Sequence, residues 1–330
     1  MELRGKLLDV SGLKVSFYTY RGVIKALDGV ELWMDSGERL GVVGETGCGK
    51  SVTSLAVMRL IEQPGEIQAG KVIFNGKSLL ELSEEEMNGV RGIEMSMIFQ
   101  EPRSSLNPVM KVGYQIGEAI AKSKKMPIKK TYSEVREILK LVGLDPERVM
   151  NSYPHELSGG MSQRVMIGMG LATHPKLLIA DEPTSALDVT IQAQILELLD
   201  ELARKMGNAV MLITHDMGVV AEFCDKVMVM YAGNSVEYAS TFELFERPLH
   251  PYTGGLLLAV PRVGRTDELK AIKGTVPDLV DPPSGCRFHP RCPRVMEICK
   301  ENRPPLLQVE PGHFVACYLY GNKGEVKENA

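Results

Sequence analysis

Three short segments carry residues whose types and spacing suit phosphate chemistry. Gly44-Glu45-Thr46-Gly47-Cys48-Gly49-Lys50-Ser51 fits the pattern G-x-x-x-x-G-K-[ST]. Glycines in this pattern let backbone N–H groups curl around phosphate oxygens, and the helix that follows turns its positive dipole end toward the anion. Lys50 then reaches the β- and γ-phosphates, and the Ser51 hydroxyl is placed to ligate Mg²⁺. Leu177-Leu178-Ile179-Ala180-Asp181-Glu182 is an apolar run that ends in two carboxylates. Asp181 suits Mg²⁺, in part through water. Glu182 suits orienting and polarising an attacking water, because phosphoryl transfer needs positioning more than covalent chemistry. Leu157-Ser158-Gly159-Gly160-Met161-Ser162-Gln163-Arg164 is another glycine-rich helix start. Ser158 and the N–H groups of Gly159 and Gly160 present donors to an anion ahead of a helix expected over about 161–172. Singly, the first two segments also read as a glycine-rich strand–helix turn and an acidic strand end; their order along one chain argues for a site.

The elements that must position these residues follow from the apolar pattern. From about 38 to 230, apolar runs alternate with helical stretches. Runs at 40–43, 97–99, 177–180 and 210–213 read as buried parallel strands with polar residues at their C-terminal ends, where ligands of such folds sit. A helix is expected over 51–61. The first 35 residues differ: Val15-Ser16-Phe17-Tyr18 and Val30-Glu31-Leu32-Trp33 alternate like antiparallel strands. Residues 227–231 and 235–238 read as a hairpin around a turn at 232–234. Residues 101–175 form a more helical insert, with Val135, Ile138, Leu139 and Val142 at helical spacing over 133–142. From about 261 the chain is rich in proline, which continues neither helix nor central strand, so a loop-built appendage is expected. No internal repeat is evident.

Composition narrows the class. The 330 residues, 44% of them apolar, suffice for one sizeable core plus an appendage. A net charge of −4 supplies no basic field for nucleic acid, and one Trp with eight Phe offers no base-stacking surface. No apolar stretch reaches the roughly 18 residues of a membrane span. The early charges Glu2, Arg4, Lys6 and Asp9 leave no signal-type apolar region, so a cytoplasmic chain that meets membranes through partners is expected. Of six cysteines, Cys48 and Cys224 lie in the main body, while Cys286, Cys292, Cys299 and Cys317 crowd the tail. A cytoplasmic chain rarely spends such a group on disulfides, so metal binding comes first. The spacing lacks the tight C-x2-C pairs of most zinc ribbons, and four thiolates equally hold a [4Fe-4S] cluster. A proline-rich segment with few large apolar residues needs such a staple to fold. His289 and His313 lie near enough in sequence to replace a cysteine. Arg287, Arg291 and Arg294 are expected to be solvated, or else to contact a partner.

The segment Leu157–Arg164 resembles the signature sequence of ABC ATPases, in which this element contacts the γ-phosphate bound by the opposite subunit, so that two cassettes sandwich two nucleotides head to tail. The common family form has Gln where this chain has Met161, and the peptide-importer branch often carries Met there. Gln100, after Met97-Ile98-Phe99, resembles the Q-loop glutamine that senses γ-phosphate and Mg²⁺. Ser185-Ala186-Leu187-Asp188 resembles the D-loop, and His215, after Leu212-Ile213-Thr214, the switch histidine. The resemblance implies ATP contacts at Gly44, Glu45, Thr46, Gly47, Cys48, Gly49, Lys50, Ser51, Val52, Asp181, Ser158, Gly159 and Gly160. Tyr20, with Tyr18 as the alternative, would stack on adenine. Ser51, Gln100 and Asp181 would serve Mg²⁺, and Glu182, His215 and Gln100 catalysis. The implied fold is an α/β P-loop NTPase cassette over 1–260, with a RecA-like core, an antiparallel β subdomain and a helical subdomain at about 101–175. A small Cys/Pro-rich C-terminal extension would occupy 261–330.

The stretch Phe99-Gln100-Glu101-Pro102-Arg103-Ser104-Ser105-Leu106-Asn107-Pro108, the segment His250-Pro251-Tyr252-Thr253 and the cysteine tail resemble dipeptide and oligopeptide permease ATPases, a likeness running from about residue 8 to 319. It implies a subunit that hydrolyses ATP to power import of di- or oligopeptides, peripheral to the cytoplasmic face of the cell membrane. Its partners would be a second, related but non-identical ATPase, two transmembrane permease subunits and, indirectly, an extracytoplasmic substrate-binding protein, with no nucleic acid. Some members of the branch carry a [4Fe-4S] cluster, which favours that group over Zn²⁺ in the tail. Relatives move nickel or sugars instead. A soluble ABC ATPase acting on DNA or ribosomes is the alternative from another class. DNA-repair members carry a long coiled coil between P-loop and signature, whereas here about a hundred residues intervene without sustained heptads. Ribosome-associated members usually carry two cassettes. A metal-binding regulatory module with a vestigial cassette is opposed by the complete set of phosphate-site residues.

Overall fold

Apolar runs punctuated by glycine become strands here because burying them on both faces leaves no other partner for their backbone than a neighbouring strand. The structure, a computed structural model, describes residues 6–185, 187–260 and 272–321, with the backbone alone at Arg103. Glu2 and Arg4, the D-loop alanine Ala186 and the 261 boundary of the extension lie outside the described residues. The chain divides into two compact units. The first takes in the described residues up to Met34, Leu40–Leu80 and those from Thr214 onward; the second takes in Asp35–Arg39 and Glu81–Ile213.

In the first unit, an antiparallel sheet runs in the order Gly22–Asp35, Lys6–Thr19, Gly65–Phe74, Lys77–Ser78. Lys6–Thr19 and Gly22–Asp35 are longer than the alternating segments read within them from sequence. Lys6–Thr19 pairs with Gly65–Phe74 from Leu8↔Phe74 to Phe17↔Gly65, with the register shifted between Ser11 and Val15. A second sheet holds Arg39–Val43 parallel to Lys226–Tyr231, with Leu40 opposite Lys226. Lys226–Tyr231 turns back on Asn234–Ser240 through Ala232 and Gly233 alone, at φ 45° and 78°. A two-residue turn with both φ positive matches the strand twist, so Asn234, expected in the turn, joins the strand.

The proline-rich segment continues this sheet. His313–Val315 pairs with Asn234–Ser240 through Glu237↔Val315 and Tyr238↔Phe314, and Leu307–Glu310 pairs with His313–Val315. Trp33 packs on Tyr238 at 4.4 Å and on Phe314 at 4.8 Å between ring centroids. The tail thus shares the first unit's core instead of hanging from it as loops.

In the second unit, Met95–Ile98, Leu177–Asp181 and Ala209–Thr214 pair in parallel, with Ile98, Ala180 and Leu212 in register. Every residue of these strands is buried, as strands covered on both faces require. The helices Val112–Lys124, Tyr132–Leu141 and Gly159–Leu171 fall within the insert anticipated at 101–175. Tyr132–Leu141 buries Val135, Ile138 and Leu139, the stripe seen in the sequence. Other boundaries moved as well. Phe99 leaves its strand and is exposed. The helix expected over 51–61 is Lys50–Val57, because Arg59 is left-handed at φ 50° and breaks it. Among the described residues no helix is long and apolar enough to cross a membrane.

Candidate nucleotide site

The loop 44–49 leaves the strand Arg39–Val43 and feeds the helix Lys50–Val57, whose N-cap is Gly49. Its glycines are needed for two different reasons. A Cβ at Gly44 would lie 2.2 Å from the Met230 carbonyl oxygen, so the loop starts where only glycine fits. At Gly47 nothing lies within 4 Å of such a Cβ, and the requirement is the left-handed φ of 80°. Thr46 and Gly47 are exposed, whereas Cys48 and Lys50 are buried. Lys50 Nζ donates to the carbonyls of Gly44, at 2.8 Å, and Glu45, at 3.3 Å. Its charge is therefore held at the loop, beside the first N–H groups of an eight-residue helix. Ser51 and Val52, half-buried, form the first turn of that helix. This donor set, glycine-lined with one fixed cation, fits a nucleotide phosphate chain.

The first unit also carries His215 and the two tyrosines. His215 is exposed between the strand end at Thr214 and Asp216, the cap of Met217–Phe223, which accepts from the amides of Gly218 and Val219. Tyr20 is 99% exposed at the turn between the two long strands, whereas the Tyr18 hydroxyl accepts from Gln68 Nε2 at 3.2 Å.

In the second unit two of the residues expected to serve catalysis meet: Gln100 Nε2 donates to Glu182 Oε2 at 3.1 Å. Glu182 is left-handed at φ 44°, an uncommon state for a residue with a side chain. It is held there by its amide donating to the Ile213 carbonyl at 2.9 Å, and by Ser185 donating to its own carbonyl. Asp181 stays buried at the strand end beside it. The signature helix begins at Gly159, two positions ahead of the expected 161. The reason is Ser158, whose Oγ caps it by accepting from the Met161 amide at 3.3 Å. Gly159 and Gly160 thereby become first-turn residues with unpaired N–H groups, and a Cβ at Gly160 would press on Ile191 at 3.1 Å. The helical part also contains a groove of about 300 Å³ lined by Met110, Lys111, Gly113, Tyr114, Tyr132 and Met150.

The four tail cysteines converge on one cavity, which they line with His289 and Phe288. Burial first, then the neighbouring thiols, pushes Cys286 and Cys317 up to about 11. Among the described residues no three His, Cys, Asp or Glu stand together as a site for a single metal ion. His313, expected as a substitute ligand, is committed elsewhere: its Nε2 lies 2.7 Å from Glu237 Oε1, with both side chains fully buried. The arginines correct the sequence reading. Arg294 is exposed, but Arg287 and Arg291 have only 4% and 5% of their side chains accessible. Arg291 grips Glu45 through Nη1–Oε2 at 2.7 Å and Nη2–Oε1 at 3.0 Å. Sequence reasoning missed these two arginines, because a charge beside a cysteine in a loop-like segment carries no signal of the distant carboxylate that buries it.

Comparison with known proteins shows the family and the fold. The family described as ABC transporter matches residues 27–185, and that of the oligopeptide/dipeptide transporter C-terminal region matches 236–299. The oligopeptide transport ATP-binding protein OppD of Bacillus subtilis is 51% identical over 318 residues, covering 95% of this chain and 89% of that protein. The dipeptide transport ATP-binding protein DppD of the same organism is 48% identical over 97% of this chain and 96% of its own. The chain belongs to the ATP-binding subunits of peptide-type ABC transporters. An ABC cassette is also the fold of its structural neighbours. The ADP- and Pi-bound cassette MJ0796, a dimer in a post-hydrolysis state, superposes with a TM-score of 0.64 at 26% identity, covering 71% of this chain and 98% of that one. Cassette cbiO1 of Clostridium perfringens gives 0.61 at 28% identity, covering 74% and 92%. This ABC subunit is therefore an ATPase coupled to transport.

Proposed function

We propose that this subunit powers the import of di- or oligopeptides, working as one of two related, non-identical ATPases beneath two permease subunits at the cytoplasmic face of the membrane. An extracytoplasmic binding protein would deliver the cargo. The observation that carries this reading is likeness at about half identity to peptide-transport ATP-binding proteins along nearly the whole chain, tail included. Residues 1–260 act as the cassette, with 101–175 as its helical part, and 261–330 as the extension. The P-loop residues Gly44 to Val52 hold the phosphates of ATP, and Tyr20, the more open of the two tyrosines, stacks on adenine. Glu182, steadied by Gln100, orients the attacking water, and His215 contacts the γ-phosphate. Ser158, Gly159 and Gly160 address the nucleotide held by the partner ATPase. Mg²⁺, when bound by Ser51, Gln100 and Asp181, would neutralise developing charge on the phosphates. The groove beside Tyr114 and Tyr132 suits a short amphipathic helix of a permease.

Purification of the membrane fraction should recover this chain with two hydrophobic subunits, and vesicles bearing the complex should take up labelled peptide when ATP is inside. Uptake of nickel or oligosaccharide instead would reassign the cargo, and a chain recovered with nucleic acid would end the transport reading.

For the tail, we favour a [4Fe-4S] cluster held by Cys286, Cys292, Cys299 and Cys317 over Zn²⁺. Its supports are the lining of one cavity by all four thiols and the spacing of the cysteines, which lacks the tight pairs of most zinc ribbons. The Cys286 and Cys317 thiols, pushed up by burial, need a cation to become ligating thiolates. Iron and sulfide in near-equal amounts, with absorption near ~400 nm, are expected in protein purified without oxygen. A colourless protein containing stoichiometric zinc would overturn this preference.

A further inference from the structure

Glu45, in the phosphate loop, is restrained through its amide, its carbonyl and its carboxylate. Its amide donates to the Tyr252 hydroxyl at 2.8 Å. Its carbonyl accepts from the Cys48 amide at 3.2 Å and from Lys50 Nζ at 3.3 Å. Its carboxylate is taken by both terminal nitrogens of Arg291. Arg291 is itself immobilised. Nε donates to the Lys273 carbonyl at 3.0 Å, Nη1 to the Tyr231 hydroxyl at 3.3 Å, and its guanidinium stands 5.7 Å from the Tyr231 ring centre. Tyr231 packs edge-on against Tyr252 at 4.7 Å, which closes a ring of contacts back to the Glu45 amide. Arg287 makes a second hold. It donates to the Ala232 carbonyl and pairs with Asp28, and the next amide, Gly233, donates to the Cys48 carbonyl at 2.8 Å.

We infer that Arg291 is a positioning residue of the ATP site: through Glu45 it fixes the loop that carries Lys50, so the cysteine-bearing tail is part of the nucleotide-binding machinery. An exposed ion pair would contribute little. This one is bidentate and its arginine is 95% inaccessible, so it specifies geometry, which a lysine's single point charge does not. The inference rests on the P-loop assignment and is independent of what the tail cysteines hold.

The test uses the full chain for nucleotide titration and the assembled transporter for kinetics. Arg291→Met should weaken ATP binding and raise KM for ATP about tenfold, with kcat falling less than KM rises. Arg291→Lys should recover only part of the loss. Glu45→Gln should match Arg291→Met, and the double variant should be no worse than either alone, because both remove one contact. Should Arg291→Met fail to fold, Glu45→Gln, which leaves the tail's sequence intact, carries the same test. Parental affinity in Arg291→Met or Glu45→Gln would overturn the proposal, as would losses that add in the double variant. Lys50→Ala is the control: if it too binds ATP normally, the P-loop assignment fails instead.

Discussion

Glu182→Gln should abolish nearly all ATP turnover while leaving ATP binding intact. The substitution preserves the size of the side chain and keeps an oxygen for the Gln100 amide, which now lies 3.1 Å away. What it removes is the negative charge proposed to polarise water. Loss of a positioned base costs ~10²–10⁴-fold in rate. The backbone strain at φ 44° belongs to the residue's position, so the geometry should survive the change. With hydrolysis blocked and binding kept, the paired ATPases should accumulate in their nucleotide-bridged form. ATPase assays on the assembled transporter, together with size analysis of the ATP-loaded subunits, read both effects. Full turnover in the variant would remove Glu182 from its role.

Lys50→Ala should act one step earlier, on binding. Lys50 is 5% exposed and its ammonium is held by two loop carbonyls, so it is a fixed charge and not a mobile one. Removing it takes away a charge-assisted contact worth ~1.5–3 kcal/mol, or roughly 10–100-fold in affinity. The cost should exceed that of any single glycine N–H donor in the loop. Titration with a fluorescent ATP analogue measures it directly, and an unaltered affinity would contradict the phosphate role of the loop. The two variants together separate gripping the nucleotide from cutting it.

The local motifs of the site were legible in the sequence because their chemistry is contiguous. A glycine that must be glycine, a lysine after it and an apolar run ending in acids are constraints written within a few residues. The parallel strands were legible for the same reason: burial on both faces leaves an unbroken apolar run, as at Leu177–Ala180. The tail was the opposite case. Its prolines suggested loops, yet His313–Val315 is a strand, because the groups it satisfies lie some eighty positions earlier in the chain, and it in turn pairs with Leu307–Glu310. Glu237 illustrates why. It is fully buried and accepts from the amides of Leu249 and His250 as well as facing His313, an arrangement no local window contains. Burial also drives His250 down to about 4, so this histidine stays neutral against Glu237 under ordinary conditions, which its sequence neighbours do not reveal. The left-handed state of Glu182 was equally hidden, since it is imposed by the carbonyl of Ile213.

The pairing of His313–Val315 with Asn234–Ser240 has a consequence for solubility. A chain cut ahead of the tail would leave a nearly fully buried strand as a naked edge, with Trp33 and Tyr238 stripped of Phe314. An uncovered edge of that kind is a template for recruiting strands from other molecules, and aggregation is its usual fate. The terminal segment therefore works as a cover strip that keeps the first unit from self-association.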